Sequence, residues 1–141
     1  MKFHAWKKLV LMAALSLFAG GATAQTIKVG LVNSTSGVFA TLGDQIYKSV
    51  KLYMKENAAK LPPGVKVELI VRDDGGPNPD NAKRLTQELI VRDRVQFLTG
   101  YIWTPNTMAV APLLTESKTP LVIMNAAASV ITTTSPYLVR A

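Results

Sequence analysis

The sequence predicts an α/β fold in which helices cover both faces of one parallel sheet, giving three layers. From residue 27 onward, short apolar runs alternate with longer segments whose apolar residues recur at helical spacing. Such a strand-helix-strand order is typical of parallel sheets with right-handed crossovers. We therefore expect a doubly wound sheet with the strand order 2-1-3-4-5.

The first strand is predicted at residues 27–32, where the apolar run IKVGLV stands. A loop rich in Ser, Thr and Gly follows at 33–43, and a helix comes next. The LPPG run at 61–64 ends this helix sharply. One helix face is predicted to carry a mostly apolar stripe of Ile46, Val50, Tyr53, Met54 and Asn57.

The second strand, at 65–71, alternates apolar and charged residues, which indicates a strand at the sheet edge. Asn78 can cap the next helix and Pro79 fits its first turn. This helix is predicted to end near Arg92, with a buried stripe of Ala82, Leu85, Leu89 and Ile90.

The third strand is predicted at 95–99 and a third helix at 104–118. Pro112 falls inside that helix, so we expect a kink there, because an interior proline removes one backbone hydrogen bond. The fourth strand is placed at 121–124, and the run YLVR at 137–140 starts a fifth.

Residues 1–24 have the pattern of a secretory signal peptide. Three lysines precede an apolar run at 9–18, and Ala22-Thr23-Ala24 provides a small-x-small end, so cleavage is expected before Gln25. The apolar run is much shorter than the roughly 20 residues that span a bilayer. The chain is therefore predicted to be exported, leaving 117 of its 141 residues as one domain.

Composition argues against several function classes. The formal net charge is +7, and the predicted signal carries three of these charges, leaving +4 on scattered lysines and arginines that form no nucleic-acid surface. There is no cysteine, the only histidine is His4, and no catalytic motif or metal-ligand spacing is present. We therefore predict no catalytic residue, metal or cofactor, and a protein that is not an enzyme.

The adjacent carboxylates Asp73 and Asp74 allow a metal or acid-base interpretation. Neighbouring residues at a strand end point apart, however, and Arg72 or Lys83 could neutralise one of the two charges. A turn-forming and capping role is the favoured alternative.

A ligand crevice is predicted at the carboxyl edge of the sheet, between the first and third strands. Thr104, as N-cap of the third helix, would place its hydroxyl beside free amides that suit a carboxylate, although Thr-Pro also opens helices that bind nothing. Trp103 could form one side of a site for an apolar or aromatic ligand group, or it could pack in the core. Small residues at Ala126, Ala127 and Ala128 are further candidates, which an ordinary tight turn would equally explain. The remaining candidates lie in the first loop and are Ser34, Thr35, Ser36, Phe39 and Leu42.

Five segments in order and spacing resemble the leucine/isoleucine/valine-type periplasmic substrate-binding proteins of ABC transporters. They are IKVGLVNSTSGVFATLGDQ, VELIVRDDGGPNPDNAKRLTQELI, FLTGYIWTPNTMAVAPLL, TPLVIMNAAAS and SPYLVRA. The resemblance implies an amino-terminal lobe of a two-lobe protein that closes on a small solute in the periplasm and delivers it to a membrane permease, as a monomer when full length.

The resemblance also implies roles for particular residues. Thr104 would hold the ligand carboxylate, with Trp103 beside it, and Ala126 and Ala127 would offer backbone groups to the polar head of the ligand. Amino-acid binders of this family tend to have a hydroxyl residue in the loop after the fourth strand, where this chain has three alanines. The pattern is closer to members that bind aromatic or other organic carboxylates.

On this interpretation residues 25–141 form one lobe and the opposing lobe is missing, so we expect weak binding by this chain alone. Three alternatives remain: the extracellular sensing domain of a receptor, an exported enzyme whose catalytic residues lie beyond Ala141, and a truncated non-functional fragment.

Overall fold

A computed structural model describes residues 25–141, which form a five-stranded parallel sheet in the order β2-β1-β3-β4-β5. The strands are β1 (Gln25–Asn33), β2 (Val65–Asp73), β3 (Phe97–Gly100), β4 (Leu121–Ile123) and β5 (Leu138–Arg140). The helices are α1 (Ala40–Asn57), α2 (Pro79–Glu88) and α3 (Thr104–Ser117). The predicted fold class and strand order are confirmed.

Strand β1 lies inside the sheet because it pairs on both sides. It runs in register with β2 from Gln25 opposite Val65 to Asn33 opposite Asp73. On its other side it pairs with β3, ending with Val32 opposite Gly100. Strand β2 has one neighbour only and forms the edge that its alternating sequence predicts.

Helices α2 and α3 pack against each other on one face of the sheet. The chain moves from β1 to β2 in one direction along the sheet and from β2 to β3 and β4 in the other. Because the crossovers are right-handed, this reversal places α1 on the opposite face. Alternate residues of β1 face the α2–α3 side, where Val32 is fully buried. The largest fully buried apolar side chains are Tyr101, Leu31, Leu89, Leu98, Leu114, Leu121, Ile123 and Ile131.

The helix ends follow from local chemistry. Asn78 caps α2, since its side chain accepts a hydrogen bond from the Asn81 amide (3.1 Å), and Pro79 stands in the first turn as predicted. A π-helical segment, Leu89–Asp93, extends α2 and stops at Arg94 in the left-handed conformation. Helix α3 ends in the same way at Lys118.

Two details differ from expectation. Tyr53 was predicted on the buried face of α1 but is 69% exposed, because the helix turns this side chain away from the sheet. The N-cap of α3 is Trp103, and Thr104 is the first helical residue. As predicted, helix α3 includes Pro112, which is exposed, and the kink at this residue stays a prediction.

The predicted signal at 1–24 lies outside the described residues. Within residues 25–141, no helix is long and apolar enough to cross a membrane.

Candidate functional site

The loops after β1 and β3 begin side by side at the carboxyl edge of the sheet. The Tyr101 amide donates a hydrogen bond to the Val32 carbonyl (2.8 Å), which carries the β1–β3 contact one residue past the strands. Gly100 has a φ of +98°, and a Cβ there would stand 2.2 Å from the Val32 oxygen. Glycine is therefore required where the third loop leaves the sheet.

Two of the predicted site residues form an aromatic pair over this edge. The Phe39 and Trp103 rings lie 4.6 Å apart, centroid to centroid, at an interplanar angle of 71°, which is an edge-to-face arrangement. Phe39 stays 38% exposed and Trp103 is half-buried, so part of this surface remains open. Leu42 follows in the first turn of α1 and is half-buried.

Backbone donors are available at the start of α3. The amide and the hydroxyl of Thr107 both donate to the Trp103 carbonyl (3.0 Å each), and Pro105 has no amide hydrogen. The amide and hydroxyl of the half-buried Thr104 have no hydrogen-bond partner among residues 25–141, whereas Asn106 is fully buried. These groups stand at the positive end of the helix dipole, where an anion is favoured.

The fourth loop, which carries the three predicted alanines, runs beside the third. Ala126 is buried and its amide donates to the Tyr101 carbonyl (3.1 Å), so that amide is already used. The exposed Ala127 accepts a hydrogen bond from Arg140 at its carbonyl (2.7 Å). The amides of Ala127 and Ala128 have no partner in the described part of the chain and remain as possible donors.

A buried carboxylate, that of Asp74, connects three of the loops, although the sequence predicted only a turn-forming and capping role for it. Asp74 is 2% exposed. Its Oδ1 accepts from the Ser34 hydroxyl (2.6 Å) and the Gly76 amide (3.1 Å), and its Oδ2 accepts from the Asn106 side chain (2.9 Å). The indole of Trp103 donates in turn to the Ser34 hydroxyl oxygen (2.9 Å).

The neighbouring Asp73 has a different environment. Its exposed side chain accepts hydrogen bonds from the amides of Thr35 and Gly75 (2.9 Å each). Its slight burial favours the neutral form, but hydrogen bonds from Ser36, Gly75 and Thr35 outweigh this and leave the pKa of Asp73 below its ordinary value.

The Asp73–Asp74 pair therefore has the turn-forming role that we favoured. Arg72 neutralises neither residue, because its guanidinium binds Asp93 instead (2.7 Å). Residues 25–141 contain no group of three His, Cys, Asp or Glu side chains that could hold a metal ion.

Tyr101 gives the third loop its fixed shape. This non-glycine residue has a φ of +59°, a left-handed conformation that costs free energy. Its ring is fully buried, and its hydroxyl shares a hydrogen bond with the Thr86 hydroxyl (2.6 Å). Burial raises the pKa of Tyr101, so the phenol is neutral at physiological pH.

Comparison with known proteins identifies the family. Residues 26–141 match the family described as periplasmic binding protein. The chain belongs to this family. A curated relative from Brucella abortus, named Leu/Ile/Val-binding protein homolog 6, is 42% identical over 136 residues, which cover 95% of this chain and 35% of that protein.

Solved structures of the family agree with the fold. A solute-binding protein of an ABC transporter from R. palustris, in complex with 4-hydroxybenzoate, superposes with a TM-score of 0.78 at 46% identity, over 82% of this chain and 31% of that one. LivJ from Streptococcus pneumoniae, a branched-chain amino acid binder in complex with isoleucine, superposes with a TM-score of 0.75 at 26% identity, over 82% and 33%. The chain thus spans about a third of the length of these relatives.

Sequence reasoning named Phe39, Trp103, Ser34 and the start of α3 but missed Asn106 and the hydrogen bonds of Asp74 beneath them. Asn106 is fully buried and stands in no recognisable motif. The only signal was Asp74 itself, a second acidic residue directly after an edge strand and before two glycines.

Proposed function

We propose that residues 25–141 form the amino-terminal wall of a solute-binding cleft in an ABC importer, and that this wall binds a small carboxylate at the start of α3. The observation that carries the proposal is the amide and hydroxyl of the half-buried Thr104, which have no partner among residues 25–141 and follow directly on Trp103 of the Phe39–Trp103 pair. A carboxylate at this helix end would be stabilised by the helix dipole and by charge-assisted hydrogen bonds.

An aromatic acid fits the wall better than an α-amino acid. The open part of the Phe39–Trp103 surface can contact an aromatic ring. An ammonium group needs acceptors, yet the alanine side chains at 126–128 offer none. The carbonyls of Ala127 and Ala128 already accept hydrogen bonds, and the oxygens of the buried Asp74 accept three. Three solute-binding proteins that are 46–47% identical to this chain were solved in complex with 4-hydroxybenzoate or 3,4-dihydroxybenzoate. LivJ, which was solved in complex with isoleucine, is 26% identical.

Family membership and the pattern of residues 1–24 support the remaining parts of the proposed function. We propose that 1–24 is a cleaved signal, that 25–141 is the amino-terminal lobe acting in the periplasm without catalysis, and that a second lobe supplies the opposing wall. The full-length protein would act as a monomer that delivers solute to a membrane permease. With one wall only, a ligand stays largely solvated, so we expect a dissociation constant on the order of millimolar.

Weak binding of this kind is measurable by two-dimensional NMR. The chain is exported in a bacterial host, ¹⁵N-labelled and titrated with 4-hydroxybenzoate. We expect the amide resonances of Thr104, Asn106 and Ala127 to shift saturably, while that of Thr26 at the opposite edge stays constant. The uncharged analogue 4-hydroxybenzyl alcohol should bind about tenfold or more weakly, because it lacks the charge that the helix end favours.

Shifts of equal size and midpoint for the acid and the alcohol would refute a carboxylate site, as would saturable shifts confined to other parts of the chain. L-isoleucine serves as the ligand control: tighter binding of isoleucine than of 4-hydroxybenzoate would contradict the aromatic class while leaving the position of the site intact.

A further inference from the structure

Asp74 is placed where the loops after β1, β2 and β3 meet. Its carboxylate receives one hydrogen bond from each of the three loop or helix segments that surround it: Ser34 before α1, Gly76 before α2 and Asn106 in the first turn of α3. Its own backbone amide donates to the Asn33 carbonyl (3.2 Å). No ligand contact is available to this residue, because it is 2% exposed.

The direction of the hydrogen bonds from Asp74 to Trp103 follows from donor and acceptor chemistry. An indole nitrogen can only donate, so the Ser34 oxygen accepts from Trp103 and its single proton must go to Asp74. The carboxylate therefore orients the Ser34 hydroxyl, and the hydroxyl oxygen orients the indole ring. Chains of this kind fix side-chain geometry more firmly than one hydrogen bond does.

Asp74 also fixes the start of α3. The Asn106 side-chain nitrogen donates to Asp74 Oδ2 and to the Gly76 carbonyl (2.9 Å each), which sets the orientation of the amide. The amide oxygen is then left buried without a partner among residues 25–141. An unpaired buried acceptor costs free energy, so the two hydrogen bonds on the nitrogen must dominate at this position.

We propose that Asp74 is the positioning residue of the binding wall: through Ser34 it sets the orientation of the Trp103 indole, and through Asn106 it holds the first turn of α3. The importance of this geometry for a ligand rests on the function proposed above. The hydrogen bonds themselves exist without ligand and can be tested without it.

The test uses the full chain carrying Trp6→Phe, so that Trp103 is the sole tryptophan and gives a single indole N–H resonance. Asp74→Asn retains the volume of the side chain but leaves one acceptor oxygen for three donors. We expect the indole proton to move upfield and to exchange with solvent about tenfold faster, as for the loss of one hydrogen bond. Ser34→Ala should give the same indole change while leaving the Asn106 side-chain resonances in place.

Asp73→Asn is the matched control. It removes the same charge one residue away, and the new amide oxygen can still accept from Thr35 and Gly75, so the indole resonance should stay at its wild-type position. In a parallel titration, 4-hydroxybenzoate affinity should fall about tenfold in the Asp74 and Ser34 variants and stay unchanged in the control.

Folded Asp74→Asn with wild-type indole shift and exchange would overturn the proposal. If Asp74→Asn fails to fold, Ser34→Ala provides the test, because it keeps the Asp74 hydrogen bonds to Gly76 and Asn106. A wild-type chemical shift and exchange rate of the indole proton in Ser34→Ala would also overturn the proposal. If the wild-type chain does not bind 4-hydroxybenzoate at all, the proposed ligand is wrong, and the indole resonances still report on the positioning role.

Discussion

Two regions of the molecule are buried but differ in chemistry. One is the interior beneath α2 and α3, and the other is the group of polar side chains at the carboxyl edge of the sheet. In the interior, Leu98, Leu121 and Ile123 are fully buried among other apolar side chains. At the edge, Ser34, Asn106 and Asp74 are buried to the same degree and depend on hydrogen bonds with one another. Apolar burial in the interior contributes most to stability, and the hydrogen bonds at the edge fix the geometry of the surface that we propose as the binding site.

This difference predicts which property each region controls. Apolar burial is non-directional and tolerates small displacements, whereas the hydrogen bonds at the edge require particular atoms at particular distances. Substitutions in the interior should lower the free energy of unfolding, and substitutions of exposed residues at the edge should lower ligand affinity while the fold is retained.

The largest expected effect is on the interior. Leu98→Ala removes a fully buried side chain that stands next to Gly30 and should lower the free energy of unfolding by about 2–5 kcal/mol through lost burial and a residual cavity. Urea denaturation followed by circular dichroism measures this. The control Val139→Thr, at a position 57% exposed, should change the value by less than about 0.5 kcal/mol.

Equal destabilisation by the Leu98 and Val139 variants would mean that the α2–α3 side is not the principal core.

A smaller effect is expected at the aromatic pair. Phe39→Ala removes the ring proposed to contact the ligand, and the loss of one aromatic contact, worth about 0.5–1.5 kcal/mol, should weaken 4-hydroxybenzoate binding about 2- to 10-fold. The variant also loses the edge-to-face contact with Trp103, so its free energy of unfolding should fall by no more than about 1.5 kcal/mol, less than for Leu98→Ala. The control is Val38→Ala at a 91% exposed position, and a matching loss of affinity there would show that the ring contact is irrelevant.

The smallest effect concerns pH. The pKa of Asp73 is lower in the folded chain than its ordinary value of 3.8, so its hydrogen bonds stabilise the fold above that pH and the contribution is lost as pH falls through the lower, folded value. Wild type and Asp73→Asn should differ by under about 1 kcal/mol at neutral pH, since the group is solvent-exposed. The free energies of unfolding of wild type and Asp73→Asn should converge in acid. A difference between them that grows below pH 3.8 would contradict the lowered pKa of Asp73.

The fold could be predicted from sequence because its signals are local and repeated. The alternation of β2 identified an edge strand, and Asn78-Pro79 marked the start of α2. Tyr53 was misplaced because helical spacing defines a face but not the width of its buried part. The π-helical end of α2 was not predicted, since apolar residues continue at helical spacing through Leu89 and Ile90.

The site was predicted only in part, for a physical reason. The positions of Phe39, Trp103 and Thr104 follow from the rule that loops gather at the carboxyl edge of a parallel sheet. Their orientation depends on contacts between residues far apart in sequence, such as the 40 positions between Ser34 and Asp74. No pattern within one segment contains that information.

We propose that Thr104, at the start of α3, binds the carboxylate of the ligand. The affinities of Thr104→Val and Thr26→Val for 4-hydroxybenzoate test this, because the two variants make the same isosteric change at opposite ends of the strands. We expect a loss of about 10- to 100-fold for Thr104→Val, the value of a hydrogen bond to a charged group, and none for Thr26→Val. Equal affinities in the two variants, both folded as wild type, would contradict it.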